Sequence, residues 1–153
     1  MKYLAIILGI FGMELGIKNY IEKSLEEGEK RPKFKEFLVI RKYHNQGAFL
    51  NMGEKRPWII AVLSVSLTML LSGFFVCTLT MAGGGMLQWG LTLMLGGAYS
   101  NTYDRIRRKY VVDYVSFNVP IKKLKQVVFN ISDFCIMIGA MLSVVSEICK
   151  KQT

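Results

Sequence analysis

The sequence is poor in the residues from which many enzymes assemble their centres. Its 153 residues hold one histidine, three cysteines and three aspartates. The cysteines, Cys77, Cys135 and Cys149, fall within or at the ends of apolar segments. Their odd number and lack of metal-ligand spacing exclude a disulfide framework and a zinc centre, and they read as small packing residues. His44 has no serine, cysteine or carboxylate motif around it and reads as an interfacial loop residue. Internal repeats and low-complexity segments are absent, and no lysine follows Gly96-Gly97-Ala98 at the spacing of a phosphate-binding loop, so those small residues are expected to let two helices approach closely.

Charge is also missing where a soluble protein of this size would carry it. Between Arg56 and Asp104 lies an uncharged stretch, Pro57 to Tyr103, of 47 residues, in a chain that is 52% hydrophobic. One membrane crossing takes about 20 apolar residues, so the stretch holds two crossings joined by a turn at Ala82-Gly83-Gly84-Gly85. The expected helices are Trp58 to about Thr80 and Met86 to about Ser100, with two more at Tyr3 to about Ile17 and Val127 to about Ile148. Glu14 interrupts the first and Asp133 the last, and an ionisable group at membrane depth is costly enough to suggest function. Lys2 before an apolar run resembles a secretory signal peptide, but no small-x-small site follows and Glu14 and Lys18 stand where one belongs, so a retained first helix is expected. The result is an all-α membrane protein of four transmembrane helices, a single integral membrane domain over residues 1–153.

The net charge of +9 does not point to nucleic acid. The basic residues crowd beside membrane segments, as in Lys30-Arg31 with Lys33 and Lys35, Arg105 with Arg107-Arg108-Lys109, and Lys122-Lys123 with Lys125, where anionic lipid headgroups are the natural partner. Ten of the 20 Lys and Arg lie between Lys18 and Arg56, seven between Arg105 and Lys125, and three at the ends. Taken alone, the positive-inside rule puts both large loops in the cytoplasm and both termini outside. Within the first loop, Phe37-Leu38-Val39-Ile40 followed by Arg41-Lys42-Tyr43 predicts a strand at the membrane surface, and Glu22 to Lys35 reads as a solvated helix end and linker. Trp58 and Tyr43 suit interface anchors.

The motifs lie mostly in the last third. Gly96-Gly97-Ala98-Tyr99-Ser100-Asn101-Thr102-Tyr103-Asp104-Arg105 is followed by Val111-Val112-Asp113-Tyr114 and Phe129-Asn130-Ile131-Ser132-Asp133, and Asn45-Gln46-Gly47-Ala48-Phe49 stands upstream. Together these resemble the GGAxGNxxDR, VxDF, FNxAD and NxGAAF elements of the lipoprotein signal peptidases, the type II signal peptidases. Each string is weak alone, but four in order on a chain of this length are specific. The resemblance implies a membrane aspartyl endopeptidase that cuts diacylglyceryl-cysteine prolipoproteins on the amino side of the lipidated cysteine, with no cofactor and no metal. It implies a small extracytoplasmic β element between helices 1 and 2, and Asp113 and Asp133 as the catalytic pair. Asn45, Asn101, Arg105 and Asn130 follow as supporting residues around the site. It also places the chain in the bacterial cytoplasmic membrane, with both termini inside and the carboxylates at the outer face, against the charge count.

The residues support that chemistry independently of the resemblance. If the third and fourth helices are antiparallel neighbours, Asp113 in the loop between them and Asp133 about two turns into the fourth reach one depth. Two carboxyls a few ångströms apart share a proton, so one serves as base and the other as acid. Asp104 reads as structural, orienting its neighbours, and Glu14 and Lys18 as structural members of the first helix. Taken singly, Asp133 also reads as a partner of the helix dipole and Asp113 as a loop acid. Departures from the family pattern are Glu14-Leu15 where it has aspartate-glutamine ahead of Lys18, Ser100 for a glycine and Ser132 for an alanine. Two other classes stay open at this stage: an inactive membrane scaffold or regulator related to the peptidase, and a small transporter or channel subunit, which would need polar groups along a continuous pore.

Overall fold

The structure, a computed structural model, describes residues 1–33, 37–47, 55–81, 85–121 and 127–150. Four long helices carry the chain: α1 (Lys2–Ser24), α2 (Pro57–Thr78), α3 (Gly85–Arg107) and α4 (Ile131–Lys150). Three strands, β1 (Lys30–Lys33), β2 (Leu38–Asn45) and β3 (Val111–Phe117), form one antiparallel sheet in the order β1-β2-β3.

Helices α1, α2 and α4 are long and apolar enough to cross a membrane. Their outer faces carry the large apolar side chains that a soluble protein would bury, Val62, Leu67, Leu70, Met137, Met141 and Val144 among them. Helix α3 differs. It packs against each of the other three, and its buried residues include Gln88, Thr92, Ser100, Thr102 and Asp104. Those polar groups find partners inside the protein: Tyr3 Oη donates to Gln88 Oε1 at 2.8 Å, Gln88 Nε2 donates to the Thr78 carbonyl at 2.7 Å, and the Thr68 and Thr102 hydroxyls pair at 2.9 Å. A central post of this kind satisfies its own polar groups and so tolerates a lower hydropathy than its neighbours.

Helices α3 and α4 are antiparallel neighbours, as the placement of the two aspartates requires. The expected close approach occurs at Gly97, where an added Cβ would collide with the Ser132 carbonyl oxygen, and again where Gly139 meets the Gly90 carbonyl. Small residues at these crossings let backbones touch. Alternation of helix direction leaves the ends of α1 and α3, the start of α4 and the sheet at one end of the bundle, and Met1 and Lys150 at the other.

Several boundaries differ from expectation. The strand after Phe37 is β2, but the sheet is larger than a first-loop element, because Val111–Phe117 joins it as β3, with Tyr43 opposite Asp113 and Asn45 opposite Val111. Asp113 is therefore a strand residue and not a loop acid, and the apolar run around it is buried against Ile21 of α1 and Leu25 just beyond its end. Of the helix end and linker expected from Glu22 to Lys35, the helix end is present, since α1 runs to Ser24, whereas part of the linker is the strand β1; Lys35 lies outside the described residues. Helix α3 continues past Ser100 to Arg107, and Lys109 at φ +71° turns the chain toward β3 in the left-handed conformation common just beyond helix ends. The last helix starts at Ile131 and not Val127, because Phe129 pairs its backbone with β3: its N–H donates to the Val115 carbonyl at 2.7 Å and its carbonyl accepts from Val115 N at 2.7 Å. Asp133 consequently lies in the first turn of α4 instead of two turns in. Gly85 opens α3, whereas Ala82, Gly83 and Gly84 of the expected turn, the Ala48-Phe49 end of the upstream motif, and Lys122, Lys123 and Lys125 lie outside the described residues.

Candidate active site

Asp113 from β3 and Asp133 from α4 are brought together by one residue, Asn130, at the junction of their elements. Its Nδ2 donates to Asp113 Oδ1 at 2.6 Å. Its Oδ1 accepts from Asp133 N at 2.9 Å, while its own backbone N–H donates to Asp133 Oδ2 at 3.0 Å. That reciprocal pair is a capping box, with Asn130 as cap and Asp133 three residues on, so the sequence that starts α4 also fixes its carboxylate. The dipole-partner reading of Asp133 and its membership of the site thus hold together.

The other expected supports converge on the same point. Asn45, at the end of β2, donates from Nδ2 to Asp113 Oδ2 at 2.9 Å. Asn101, one turn before Arg105 on α3, donates from Nδ2 to Asp133 Oδ1 at 2.9 Å. All four carboxylate oxygens therefore accept a hydrogen bond. Arg105, half-buried on the same helix, lies within electrostatic reach of Asp113, Asp133 and Asp104 without hydrogen-bonding to either site carboxyl. Asp113 is 2% exposed. Burial, reinforced by the like charge of Asp133, pushes its carboxyl from the ordinary value of 3.8 up to about 7, against the opposing pull of the hydrogen bonds from Asn45 and Asn130.

Glu14, Lys18 and Asp104, read from the sequence as structural, form the layer beneath. Lys18 is buried with its Nζ 3.0 Å from Asp104 Oδ2 and 3.4 Å from Glu14 Oε2, and it donates to Ser100 Oγ at 3.1 Å and Asn101 Oδ1 at 2.9 Å. A lysine can only donate, so its contact with the Asn101 oxygen turns the amide NH₂ of Asn101 toward Asp133. Asp104 also faces Arg108 at 3.3 Å and accepts from Val112 N at 3.3 Å, tying the end of α3 to the start of β3. An ammonium between two carboxylates is tolerable at this depth because each charge has a partner of opposite sign.

Sequence reasoning treated Ser100 and Ser132 only as departures and assigned Tyr114 no part. All three hydroxyls bond the buried charges: Ser100 to Lys18, and Ser132 and Tyr114 to Glu14. The available signal was that each adds a hydroxyl within a motif that otherwise matches. His44 is a residue of the central strand β2 and not a loop residue; its Nε2 meets Glu22 Oε1 at 2.8 Å and its ring stacks on Tyr110 with centroids 4.1 Å apart, an arrangement near the end of β2 that leaves the carboxyl pair untouched. Among the described residues no group of three or more metal-ligating side chains is present.

A sequence profile of the family described as Signal peptidase (SPase) II matches residues 6–149. The lipoprotein signal peptidase of Mesorhizobium japonicum is 29% identical over 150 residues, covering 95% of this chain and 84% of its own. That of Halothermothrix orenii is 29% identical over 142 residues, covering 93% and 91%, and that of Clostridium tetani 27% over 146 residues, covering 95% and 90%. Among solved structures, one bacterial membrane enzyme superposes with a TM-score of 0.84 at 20% identity, over 98% of this chain and 89% of its own; a second gives 0.80 at 21%, over 95% and 91%. These two share the fold. With the profile spanning all but the ends of the sequence and the relatives matching along most of their length, the chain belongs to the signal peptidase II family.

Proposed function

We propose that the chain removes signal peptides from diacylglyceryl-cysteine prolipoproteins, cutting on the amino side of the lipidated cysteine, with Asp113 and Asp133 as its catalytic pair. The observation that carries this reading is the joint hold of both carboxyls by Asn130. Two like charges in one buried pocket favour a single shared proton near neutral pH. The ionised member takes a proton from a bound water, and the oxygen of that water attacks the scissile carbonyl while the protonated member donates a hydrogen bond to the carbonyl oxygen. As the tetrahedral intermediate collapses, the proton taken from water passes to the leaving amine. Asn45 and Asn101 keep the two carboxyls from rotating, and Arg105 supplies a fixed positive charge suited to the anionic intermediate.

The membrane setting suits the substrate. Acyl chains held in the bilayer place the scissile bond at the interface and raise its local concentration. In this reading α3 is the fourth crossing, its polar residues shielded by α1, α2 and α4, and the sheet end of the bundle faces outward from the cytoplasmic membrane. The positive-inside count opposes that orientation. It is weakened by Lys18, which counts as a loop charge in sequence but is a buried partner of Glu14 and Asp104. A cytoplasmic reporter fused at Thr153 is expected to be active; an active reporter only when it is exported would reverse the orientation.

Cleavage of a purified precursor by the protein in lipid vesicles tests the substrate. The diacylglyceryl form is expected to be cut and the same precursor without its lipid to be spared. Equal cleavage of both would contradict lipoprotein specificity, and cleavage of neither the peptidase reading itself.

A further inference from the structure

Two departures from the family pattern, Glu14 and Ser132, meet at one carboxylate. Glu14 of α1, entirely buried, accepts from the Tyr114 hydroxyl at Oε1 and from Ser132 Oγ at Oε2, the latter at 2.8 Å. Tyr114 directly follows Asp113, and Ser132 directly precedes Asp133. The Tyr114 hydroxyl in turn accepts from the backbone N–H of Ile131, the first residue of α4, at 3.3 Å. The two strands of chain that present the carboxyl pair are thus each gripped, one residue away, by the same side chain.

We infer that Glu14 is a positioning residue for the reaction, its carboxylate setting the spacing of Asp113 and Asp133 by holding the hydroxyls of Tyr114 and Ser132. The inference rests on the peptidase reading. Three other ties join β3 to α4, namely the Asn130 side chain, the backbone pairing of Phe129 with Tyr114 and Val115, and the bond from the Ile131 N–H to the Tyr114 hydroxyl. All three lie within the segments that carry the aspartates. Glu14 belongs to another element, α1, and fixes both segments against it from outside, where α3 already packs along α4. Burial sharpens the effect, because Ser132 is fully buried and Tyr114 is 3% exposed, so water cannot replace either bond. Lys18 meets the same Oε2 at 3.4 Å and also orients Asn101, which links the grip to the oxygen of Asp133 that Asn101 holds.

The test is a kinetic comparison of Tyr114→Phe, Ser132→Ala and the double variant in the full-length protein, with Thr68→Ala as a control. Thr68 pairs with Thr102 between α2 and α3 and removes a buried hydrogen bond away from the aspartates. A displacement of catalytic groups by about an ångström costs on the order of 10²-fold in rate. The double variant is therefore expected to lose about that much kcat with KM little changed, and each single variant a part of it. The alkaline limb of its pH–rate profile is expected to move to lower pH, since a wider gap weakens the repulsion from Asp133 on Asp113. The other charges facing Asp113, Lys18 from α1 and Arg105 from α3, are left in place by both substitutions. Thr68→Ala is expected to lower thermal stability with that limb unmoved. Unchanged kcat and an unmoved limb in the double variant, or a loss that tracks thermal stability alone as in Thr68→Ala, overturns the positioning role. If the double variant does not fold, Tyr114→Phe, which keeps the ring and removes only the hydroxyl, decides by the same two readouts. A parent protein that fails to cleave, or an Asp113→Asn variant that cleaves as the parent does, overturns the peptidase reading first and the positioning role with it.

Discussion

Replacing Asp113 by asparagine is expected to abolish activity and, above neutral pH, to make the protein more stable. The folded chain holds this carboxyl at about 7 and the unfolded chain near 3.8. The folded state therefore binds the proton more tightly, and stability falls as pH rises between those two values, then levels off above about 7. A gap of that size corresponds to about 4 kcal/mol lost across the window, the free energy of keeping a charge in a dry site beside Asp133. Asparagine is neutral throughout and escapes this loss. It is not a perfect substitute, because Asn45 and Asn130 both donate to the Asp113 oxygens and an amide can accept only on its one oxygen. One donor is left unpaired, at a cost of about 1–2 kcal/mol. The net gain at about pH 8 is then roughly 2–3 kcal/mol, which for a chain of this length raises Tm by about 5–10 °C. Near pH 4 the folded carboxyl is protonated and the unfolded one about half so, the gain shrinks to a fraction of a kcal/mol, below the cost of the unpaired donor, and the variant is the less stable protein. Thermal unfolding in detergent at both pH values reads the sign directly. A Tm difference that is the same at pH 4 and pH 8 would refute the argument that burial and Asp133 raise this group.

Other consequences are simpler to state. Precursor cleavage is expected to follow a bell in pH with its alkaline limb near 7, because a pair that has lost its shared proton has no acid; a rate that keeps rising to pH 9 would count against proton sharing. Asn130→Ala removes the cap of α4 together with the bridge between the carboxyls, and is expected to cost about 1–2 kcal/mol in unfolding and at least about 10-fold in cleavage rate. Gly97→Ala pushes a methyl into the Ser132 carbonyl, so α4 must move; a loss of about 1–3 kcal/mol in thermal unfolding is expected, with reduced cleavage although no polar group has been touched. Lys18→Met leaves Glu14 and Asp104 as buried like charges, with an expected loss of about 3–5 kcal/mol visible as poor accumulation of folded protein.

The helices were legible because a run of 47 residues without charge and the glycines at 96 and 97 reflect local rules of lipid exposure and close packing. The carboxyl pair and its three asparagines were legible through ordered motifs. What the sequence hid were features set by partners far along the chain. Val111–Phe117 becomes a strand because β2 offers it a backbone edge, some 70 residues away in sequence. Val127 to Asn130 leaves the helix for the same reason, despite an apolar pattern that continues into α4. Ser100, Tyr114 and Ser132 look like ordinary drift until Glu14 and Lys18 are seen beside them, since a hydroxyl has meaning only in relation to the charge it satisfies.

The central claim is that two carboxyls held in one pocket do the chemistry together. Its most direct measurement is cleavage of a purified diacylglyceryl precursor by the reconstituted protein, compared with Asp113→Asn and Asp133→Asn prepared and confirmed folded in the same detergent. Each single variant is expected to lose at least about 10³-fold, because neither carboxyl alone supplies both base and acid. A folded variant of either kind that cleaves within a few-fold of the parent would contradict the account.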